Sequence, residues 1–417
     1  MAQNVANMWD ILKDAWTETR IKKQFEDKNL PLGKLTALKG TQIGRQAQVP
    51  VQLSRSFGYT STNAPGVLNA AGETKATVAT YSLPASWFQI SVDAHALVQA
   101  TAAGAQSIIA AKDMEIESAI EGTNHQIVRQ MATNGDGIIA ACDTTSSSTT
   151  IKLIPAASEG AAYGYSSIVR GWLDVDMFVD IGTVGDTDAL ATGVKVTAVN
   201  DSATAPTFTI SGPAIATTAG THFVYIANPN SATAANPELN GLRQIVNSTG
   251  ALGGLNPATA GQNRWKAAQR DTSTTALSLD LVMGMAQNVM QQSGEPFTDV
   301  WTGLKQQAKY YKLLQGLVRF SGDTGLSAGA VDKTNYNGVK VQAFPAFLDT
   351  DWFCLTLKDL VKVTGGITGP KWMSDLQGAT RGQLWSPGTT QFVDALIYPI
   401  QVGATRRNTH AAATALQ

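Results

Sequence analysis

Apolar and polar side chains alternate along residues 45–57, which is the pattern of a β-strand with one covered face. Pro50 lies in the middle of this run and has no amide hydrogen, so the strand is expected at a sheet edge or at a bulge. Two further strand-like runs, residues 75–82 and 87–92, follow a segment rich in glycine and asparagine. Together these patterns predict an extended β-loop over residues 40–100.

A β-loop of this size is too thin to stabilise itself. Ordering about fifty residues costs on the order of 50–100 kcal/mol, and offsetting that by apolar burial alone needs roughly a few thousand Å². We therefore expect the loop to pack against a partner outside itself, either elsewhere in this chain or on another chain. The residues expected to make this subunit contact are Val49, Val51, Leu53, Phe57, Val78 and Tyr81 in the loop, together with Trp9 and Trp16 near the N-terminus.

Helical spacing appears on both sides of the loop. The apolar positions from Val5 to Trp16 predict an amphipathic helix that opens a basic arm, residues 1–39. Isoleucines from Ile109 to Ile127 recur at spacings of seven and four, which predicts a long helix within residues 101–143.

Short β-rich segments separated by turn residues dominate residues 144–232. The Ser/Thr run from Thr144 to Thr150 is expected to be a linker into this region. Because helical patterns lie on both sides of it, the region is interpreted as an inserted, barrel-like β domain.

Residues 233–335 show a mixed α/β pattern and are predicted to form an α/β domain. Apolar residues at helical spacing over 277–289 predict a helix there. Thr302 is expected to cap the next helix. Residues 336–417 are predicted to form returning strands and, from Ala404 onwards, a tail.

The low charge of the chain narrows the classes of partner. Charged residues are 15% of the 417 and the formal net charge is −1, whereas a dedicated nucleic-acid binder normally has a strongly basic domain. Near-zero charge favours association with other protein. Only two cysteines are present, and neither a signal-peptide pattern nor a membrane-length apolar run is found. We expect a soluble protein, made inside the cell, with no membrane partner.

No motif predicts catalysis, a metal site or a cofactor. The four histidines, at positions 95, 125, 222 and 410, have no spacing suited to zinc. Residues 365–371 resemble a phosphate-binding loop, but Pro370 stands where that loop needs glycine and Trp372 where it needs Ser or Thr. We therefore expect a protein that is not an enzyme and that uses no cofactor.

The order of parts, more than any motif, resembles the major capsid protein of tailed bacteriophages, whose fold is shared with herpesvirus shells. Residues 49–53 and 88–92 are similar to that family's extended loop, and 109–131 to its spine helix. Residues 237–246 resemble the entry into its axial domain, and 402–407 its closing strand and tail. The expected fold is therefore α+β, with an N-terminal arm, extended β-loop, spine helix in a peripheral domain, α/β axial domain and inserted small β domain.

The resemblance implies a structural protein that self-assembles into hexamers and pentamers of an icosahedral head around double-stranded DNA, without sequence-specific binding. In that family the extended loop lies over a neighbouring subunit. The short arm favours a separate scaffolding protein; a portal is expected, and a decoration protein is compatible with the insertion. The implied location is the virion, with assembly in the host cytoplasm.

Two alternatives stay open at this point. Encapsulated-enzyme nanocompartments use the same fold for a shell that captures cargo. A hydrolytic enzyme with a β accessory domain would instead be a small oligomer with a pocket of perturbed carboxylates.

Overall fold

A computed structural model gives the arrangement of most of the chain. The described residues are 30–38, 41–43, 46–54, 74–93, 105–159, 163–183, 189–227, 238–272, 275–315, 335–336, 339–364, 371–372, 384–385 and 391–417. The chain divides into two compact units, one of residues 1–48, 81–128 and 362–402, the other of 49–80, 129–361 and 403–417.

Helices and strands occur throughout both units. The helices are α1 Leu30–Gly33, α2 Ala105–Ala132, α3 Tyr165–Val169, α4 Leu242–Ile245, α5 Leu279–Ser293 and α6 Leu304–Gln315, with 3-10 turns at Ala156–Ser158 and Leu357–Asp359. The first twelve strands are β1 Thr36–Ala37, β2 Thr41–Ile43, β3 Gln46–Gln52, β4 Ala76–Ser82, β5 Ala85–Asp93, β6 Ile138–Ala141, β7 Thr145–Ser148, β8 Thr150–Lys152, β9 Phe178–Thr183, β10 Ala189–Asn200, β11 Thr207–Ile210 and β12 Ile215–Thr217. The others are β13 His222–Ile226, β14 Gln269–Asp271, β15 Asp299–Thr302, β16 Asn335–Tyr336, β17 Val339–Ala343, β18 Asp351–Leu355, β19 Leu360–Val363, β20 Lys371–Trp372, β21 Leu384–Trp385, β22 Gln391–Pro399, β23 Gln401–Ala404 and β24 Ala411–Thr414.

In the first unit, two strands far apart in sequence form a long antiparallel pair. β5 pairs with β22 over nine residues, from Ala85 opposite Pro399 to Asp93 opposite Gln391. β20 and β21 add to the same sheet through β22. The C-terminal apolar segment that the sequence predicted is thus a central strand here.

The long helix α2 confirms the prediction for residues 109–131. Its apolar stripe is buried where the side chains are described, with Ile120 at 1% exposure and Ile127 and Met131 at 0%. Glu117 and Glu121, one turn apart, lie on the exposed side. Amphipathic spacing over 28 residues is a strong signal because every turn repeats it.

β3 is the middle strand of three, between β2 and β4. The prediction that Pro50 places this strand at a sheet edge is therefore wrong for the strand as a whole. The described pairing with β2 ends at Gln48, and the amide of Leu53 donates to Lys75 at the start of β4. Since backbone groups alternate in direction along a strand, position 50 faces the β2 side, past the described pairs with β2.

Six strands of the second unit form a small closed barrel in the order β6-β13-β9-β10-β11-β8. An antiparallel bridge between Cys142 and Leu153 joins the two ends of this sheet, supported by backbone bonds from Asp143 to Lys152 and from Ile154 to Ala141. The interior is apolar and includes Trp172, Val196 and Phe208. The barrel takes in β6, so it begins before the predicted residues 144–232.

The Ser/Thr run at 144–150 is not a linker, and that prediction is wrong. Residues Thr145–Ser148 form β7, which pairs with β12. The Thr145 hydroxyl accepts from the amide of Lys152 at 3.0 Å, and the Thr217 hydroxyl donates to the Asp143 carbonyl at 2.6 Å. Hydroxyls bound to backbone groups let a polar segment pack as a strand.

The second unit also contains a mixed sheet in the order β14-β24-β18-β15-β17-β16. Helices α5 and α6 pack on one of its faces, where Met285 and Tyr310 join the core of Val300 and Trp352. α5 begins at Ser278, whose hydroxyl accepts from the amide of Leu281, and ends at Gly294 in a left-handed conformation.

The prediction that Thr302 caps α6 is wrong. Thr302 ends β15 and its hydroxyl donates to the Asp351 carbonyl at 2.6 Å. The side chain of Asp349, from a distant turn, accepts instead from the amide of Lys305 at 3.2 Å. The predicted tail is likewise folded, because β24 lies between β14 and β18 and its four residues are buried.

Candidate assembly surface

Side chains that bind metal ions are the first kind of candidate among the described residues. Across these ranges no group of three or more His, Cys, Asp or Glu side chains is placed to hold a metal ion. His222 accepts from the amide of Thr218 at 2.8 Å, and His410 from the amide of Thr356 at 3.2 Å. These two histidines have structural roles.

The strands at the base of the β-loop are the first candidates for a surface that meets other protein. On their covered face Val49 is 0% exposed, Val51 3%, Leu53 7% and Tyr81 2%. These four predicted contact residues are already covered by their own chain. Trp9, Trp16 and Phe57 lie outside the described residues. The subunit contact itself stays a prediction.

The opposite face of β3 and β4 is open. Val78 is 45% exposed there, and Pro50 and Gln52 are also exposed. No charged residue occurs within either strand, QAQVPVQ or ATVATYS. An uncharged strand face with an exposed valine is suited to protein contact, because no ionic group has to be desolvated.

Hydrogen bonds within the second unit link the end of β3 to the start of β4, and β4 to the turn at Gly253. Ser54 accepts from the amide of Lys75 through its hydroxyl at 3.0 Å, and the Leu53 amide donates to the Lys75 carbonyl at 2.8 Å. The Thr80 amide donates to the Gly253 carbonyl at 2.9 Å. The Thr80 bond places β4 against the segment 244–265, which contains Gly253 and is called the support below.

Arg407 organises that support. Its side chain is 0% exposed and stacks on the Trp265 ring at 5.9 Å. Trp265 in turn donates its indole hydrogen to the Leu252 carbonyl at 2.9 Å, in the same turn as Gly253. The guanidinium donates to the carbonyls of Gln244, Ile245, Asn247, Gly250 and Trp265 at 2.8–3.1 Å.

Sequence reasoning missed Arg407, which it assigned to a closing strand and tail. The sequence gives little indication that Arg407 is buried. It follows Arg406 directly, and most arginines in proteins are exposed. Its five carbonyl partners come from residues 244–265, which are distant in sequence.

A second junction joins the end of α2 to residues 238–242. Arg129 and Glu238 form a buried ion pair, at 0% and 4% side-chain exposure. The backbone at Gly241 lies directly against the backbone at the end of α2. A Cβ at position 241 would lie only 1.8 Å from the Thr133 carbonyl oxygen, so the contact requires glycine. A Cβ on Gly135 would lie 2.2 Å from the Leu239 carbonyl oxygen.

Burial raises the pKa of Asp136 and of Glu238, although Arg129 lowers both values. Burial also raises the pKa of the Cys142 and Cys354 thiols to about 12. Glu238, Cys142 and Cys354 are buried, and Asp136 is partly exposed. Their arrangement fits a structural junction.

Comparison with known proteins agrees with this architecture. No family sequence model matches the chain, and no curated protein sequence does so either. In the cyanophage A-1(L) capsid asymmetric unit, a chain matches with a TM-score of 0.53 at 12% identity, covering 93% of each chain. This chain has the fold of a phage capsid protein.

The predicted α+β capsid fold is thereby confirmed. Two further solved structures also match. A chain from the capsid of a native GTA particle covers 93% of this chain and 90% of its own, at 8% identity and a TM-score of 0.43. A chain from Mycobacterium phage Bobi covers 93% of this chain and 89% of its own, at 9% identity and a TM-score of 0.41. The assignment rests on the cyanophage capsid chain alone, because the other scores are below 0.5.

Proposed function

We propose that this chain is a major capsid protein that self-assembles into the hexamers and pentamers of an icosahedral phage head enclosing double-stranded DNA. The observation that carries the proposal is the likeness to the cyanophage capsid chain over 93% of both chains. The role is structural and not catalytic.

The uncharged outer face of β3 and β4 is the proposed contact with a neighbouring copy. Exposed Val78 and Pro50 supply apolar area there, and the bonds through Lys75 and Gly253 hold it in position. In a closed ring each copy presents one surface to a different surface of the next. Val49, Val51, Leu53 and Tyr81 then act indirectly, by fixing the strands from beneath.

The proposed partners follow from this role. They are further copies of the chain, a separate scaffolding protein and a portal, with room for a decoration protein on the barrel. The proposed location is the virion, after assembly in the host cytoplasm. No helix among the described segments is long and apolar enough to cross a membrane.

Negative-stain electron microscopy of the purified full chain, alone and co-expressed with a candidate scaffolding protein, tests the proposal. Closed shells, tubes or hexamer rings are expected. A monodisperse monomer under every condition contradicts it. Shells that form only around a captured enzyme would instead indicate a nanocompartment.

A further inference from the structure

The solvent-facing side of α6 carries three lysines in one row. Lys305, Lys309 and Lys312 are spaced by four and three residues, so they lie on one side of the helix. Gln306 and Tyr310, on the other side, are buried at 0% and 1% exposure. The helix, LKQQAKYYKLLQ, contains no Asp or Glu. Three positive charges therefore lie along roughly 10 Å of helix.

Among the residues that the structure describes, Asp349 is an acidic neighbour of this lysine row. Burial lowers the pKa of Lys309, and the charge of Lys305 lowers it further while Asp349 raises it. Asp349 also pairs with Arg170 at 3.1 Å, so its charge is shared with another cation. Lys309 donates to the main-chain oxygen of Gln417. Lys305 and Lys312 are exposed.

We propose that the lysine row of α6 binds the phosphate backbone of double-stranded DNA. The inference rests on the proposed function, which places this polymer inside the shell. With a formal net charge of −1 the chain as a whole does not attract DNA, so contact requires a local concentration of positive charge. The lysine row is such a concentration.

The composition of the row favours phosphate over an acidic protein segment. Lysine is depleted at protein–protein contacts, where arginine and aromatic residues predominate. As a flexible point charge, lysine suits phosphates whose positions vary, whereas arginine suits fixed two-point recognition. Duplex DNA carries a charge about every 1.7 Å, so roughly 10 Å of helix faces several phosphates.

Salt-dependent binding of a short random-sequence duplex, measured by fluorescence anisotropy on the full chain before assembly, tests the proposal. The test variant carries Lys305→Gln, Lys309→Gln and Lys312→Gln. The matched control carries Lys152→Gln, Lys195→Gln and Lys266→Gln, which remove the same charge from lysines elsewhere in the second unit. Circular dichroism of both variants checks that the fold is retained.

Release of counterions from three phosphates predicts a slope of log affinity against log salt that is smaller by about 2.7 in the test variant. Between roughly 50 and 200 mM salt, the unmodified chain then loses about 40-fold more affinity than the test variant. The control is expected to keep the original slope.

Several results overturn the inference. They are equal slopes for the test and control variants, no duplex binding by the unmodified chain at the lowest salt, or tighter binding of a polyglutamate peptide than of duplex at equal charge concentration. Electron microscopy of the same samples separates this outcome from the proposed function. Shells with no lysine-row effect leave the capsid role standing, whereas a slope change without any shells supports only the DNA contact.

Discussion

Arg243 and Asp351 form a buried ion pair through two hydrogen bonds, Nε to Oδ2 at 2.8 Å and Nη2 to Oδ1 at 2.6 Å. Their side chains are 4% and 0% exposed. Burial opposes the charged guanidinium, but the carboxylate of Asp351 outweighs it, so the pKa of Arg243 is raised. The pair ties α4, beside the Arg407 support, to the first residue of β18.

Asp351→Asn is expected to destabilise the fold by about 3–5 kcal/mol, because it leaves the Arg243 charge buried without a counterion. Urea unfolding of the full chain measures this. The double variant Arg243→Met, Asp351→Leu should be less destabilised than the single one, since no lone charge remains. A single variant within about 1 kcal/mol of the original chain would contradict the prediction.

Gly241→Ala is expected to destabilise by at least about 3 kcal/mol, because overpacking of this severity forces the backbone to move. The added Cβ would lie 1.8 Å from the Thr133 carbonyl oxygen. The φ angle of Gly241, −76°, is one that alanine adopts readily. The expected loss of stability therefore comes from the steric contact and not from backbone strain.

Gly284→Ala is the matched control for Gly241→Ala. It lies in α5 with no atom within 4 Å of the added Cβ. It should stabilise by about 0.5–1 kcal/mol, as expected for alanine over glycine in a helix. Urea denaturation of both variants measures the change in the free energy of unfolding. Changes of the same sign for Gly241→Ala and Gly284→Ala would refute the steric explanation.

Stability is expected to fall as the pH drops below 6.5, through His410. Burial lowers the pKa of its imidazole to about 3, and the charges of Arg407 and Arg406 lower it further. The unfolded chain binds a proton near pH 6.5 and the folded chain does not, so stability is fully present above pH 6.5 and is lost towards pH 3. Between pH 7 and 5 this amounts to about 2 kcal/mol.

His410→Gln isolates this effect, since glutamine keeps an acceptor for the Thr356 amide and does not titrate. The free energy of unfolding of the variant, followed from pH 7 to 5, should decline by about 2 kcal/mol less than that of the original chain. Parallel curves would show that the imidazole is not responsible.

Val78→Asp is expected to abolish assembly while leaving the monomer within about 0.5 kcal/mol of its original stability, because an exposed position tolerates a charge. Val175→Asp is the control, since both valines are 45% exposed and Val175 lies in the loop before β9. Sedimentation and electron microscopy should show shells for the control only. Equal assembly of both variants would remove the outer face of β3 and β4 from the interface.

Periodic elements were predictable from the sequence. The isoleucine spacing of α2 repeats over many turns, and the barrel strands at 178–183 and 207–210 combine β-branched residues with turn boundaries. Such signals are local and are repeated along the segment, so a single sequence is enough to reveal them.

Elements stabilised by distant partners were not predictable. The polar sequence of β7 predicts a linker, but β7 pairs with the distant strand β12, and its Thr145 hydroxyl accepts from the amide of Lys152. The cap of α6 comes from Asp349, more than forty residues later. For the candidate surface, the alternation of β3 predicted correctly which side chains share a face. It did not indicate that this face is covered within the chain, because alternation carries no information about the partner.

The position of β24 bears on the kinetics of shell formation. Its parallel partner is β14, with Gln269 beside Ala411, and its other neighbour is β18. A sheet whose neighbouring strands come from such distant parts of the chain has a high contact order, and proteins of that kind fold slowly. Until β24 is in place, the unpaired edges of β14 and β18 are open to pairing with the wrong chain. The rate at which this one strand enters the sheet is therefore expected to limit how many chains reach an assembly-competent state before they aggregate.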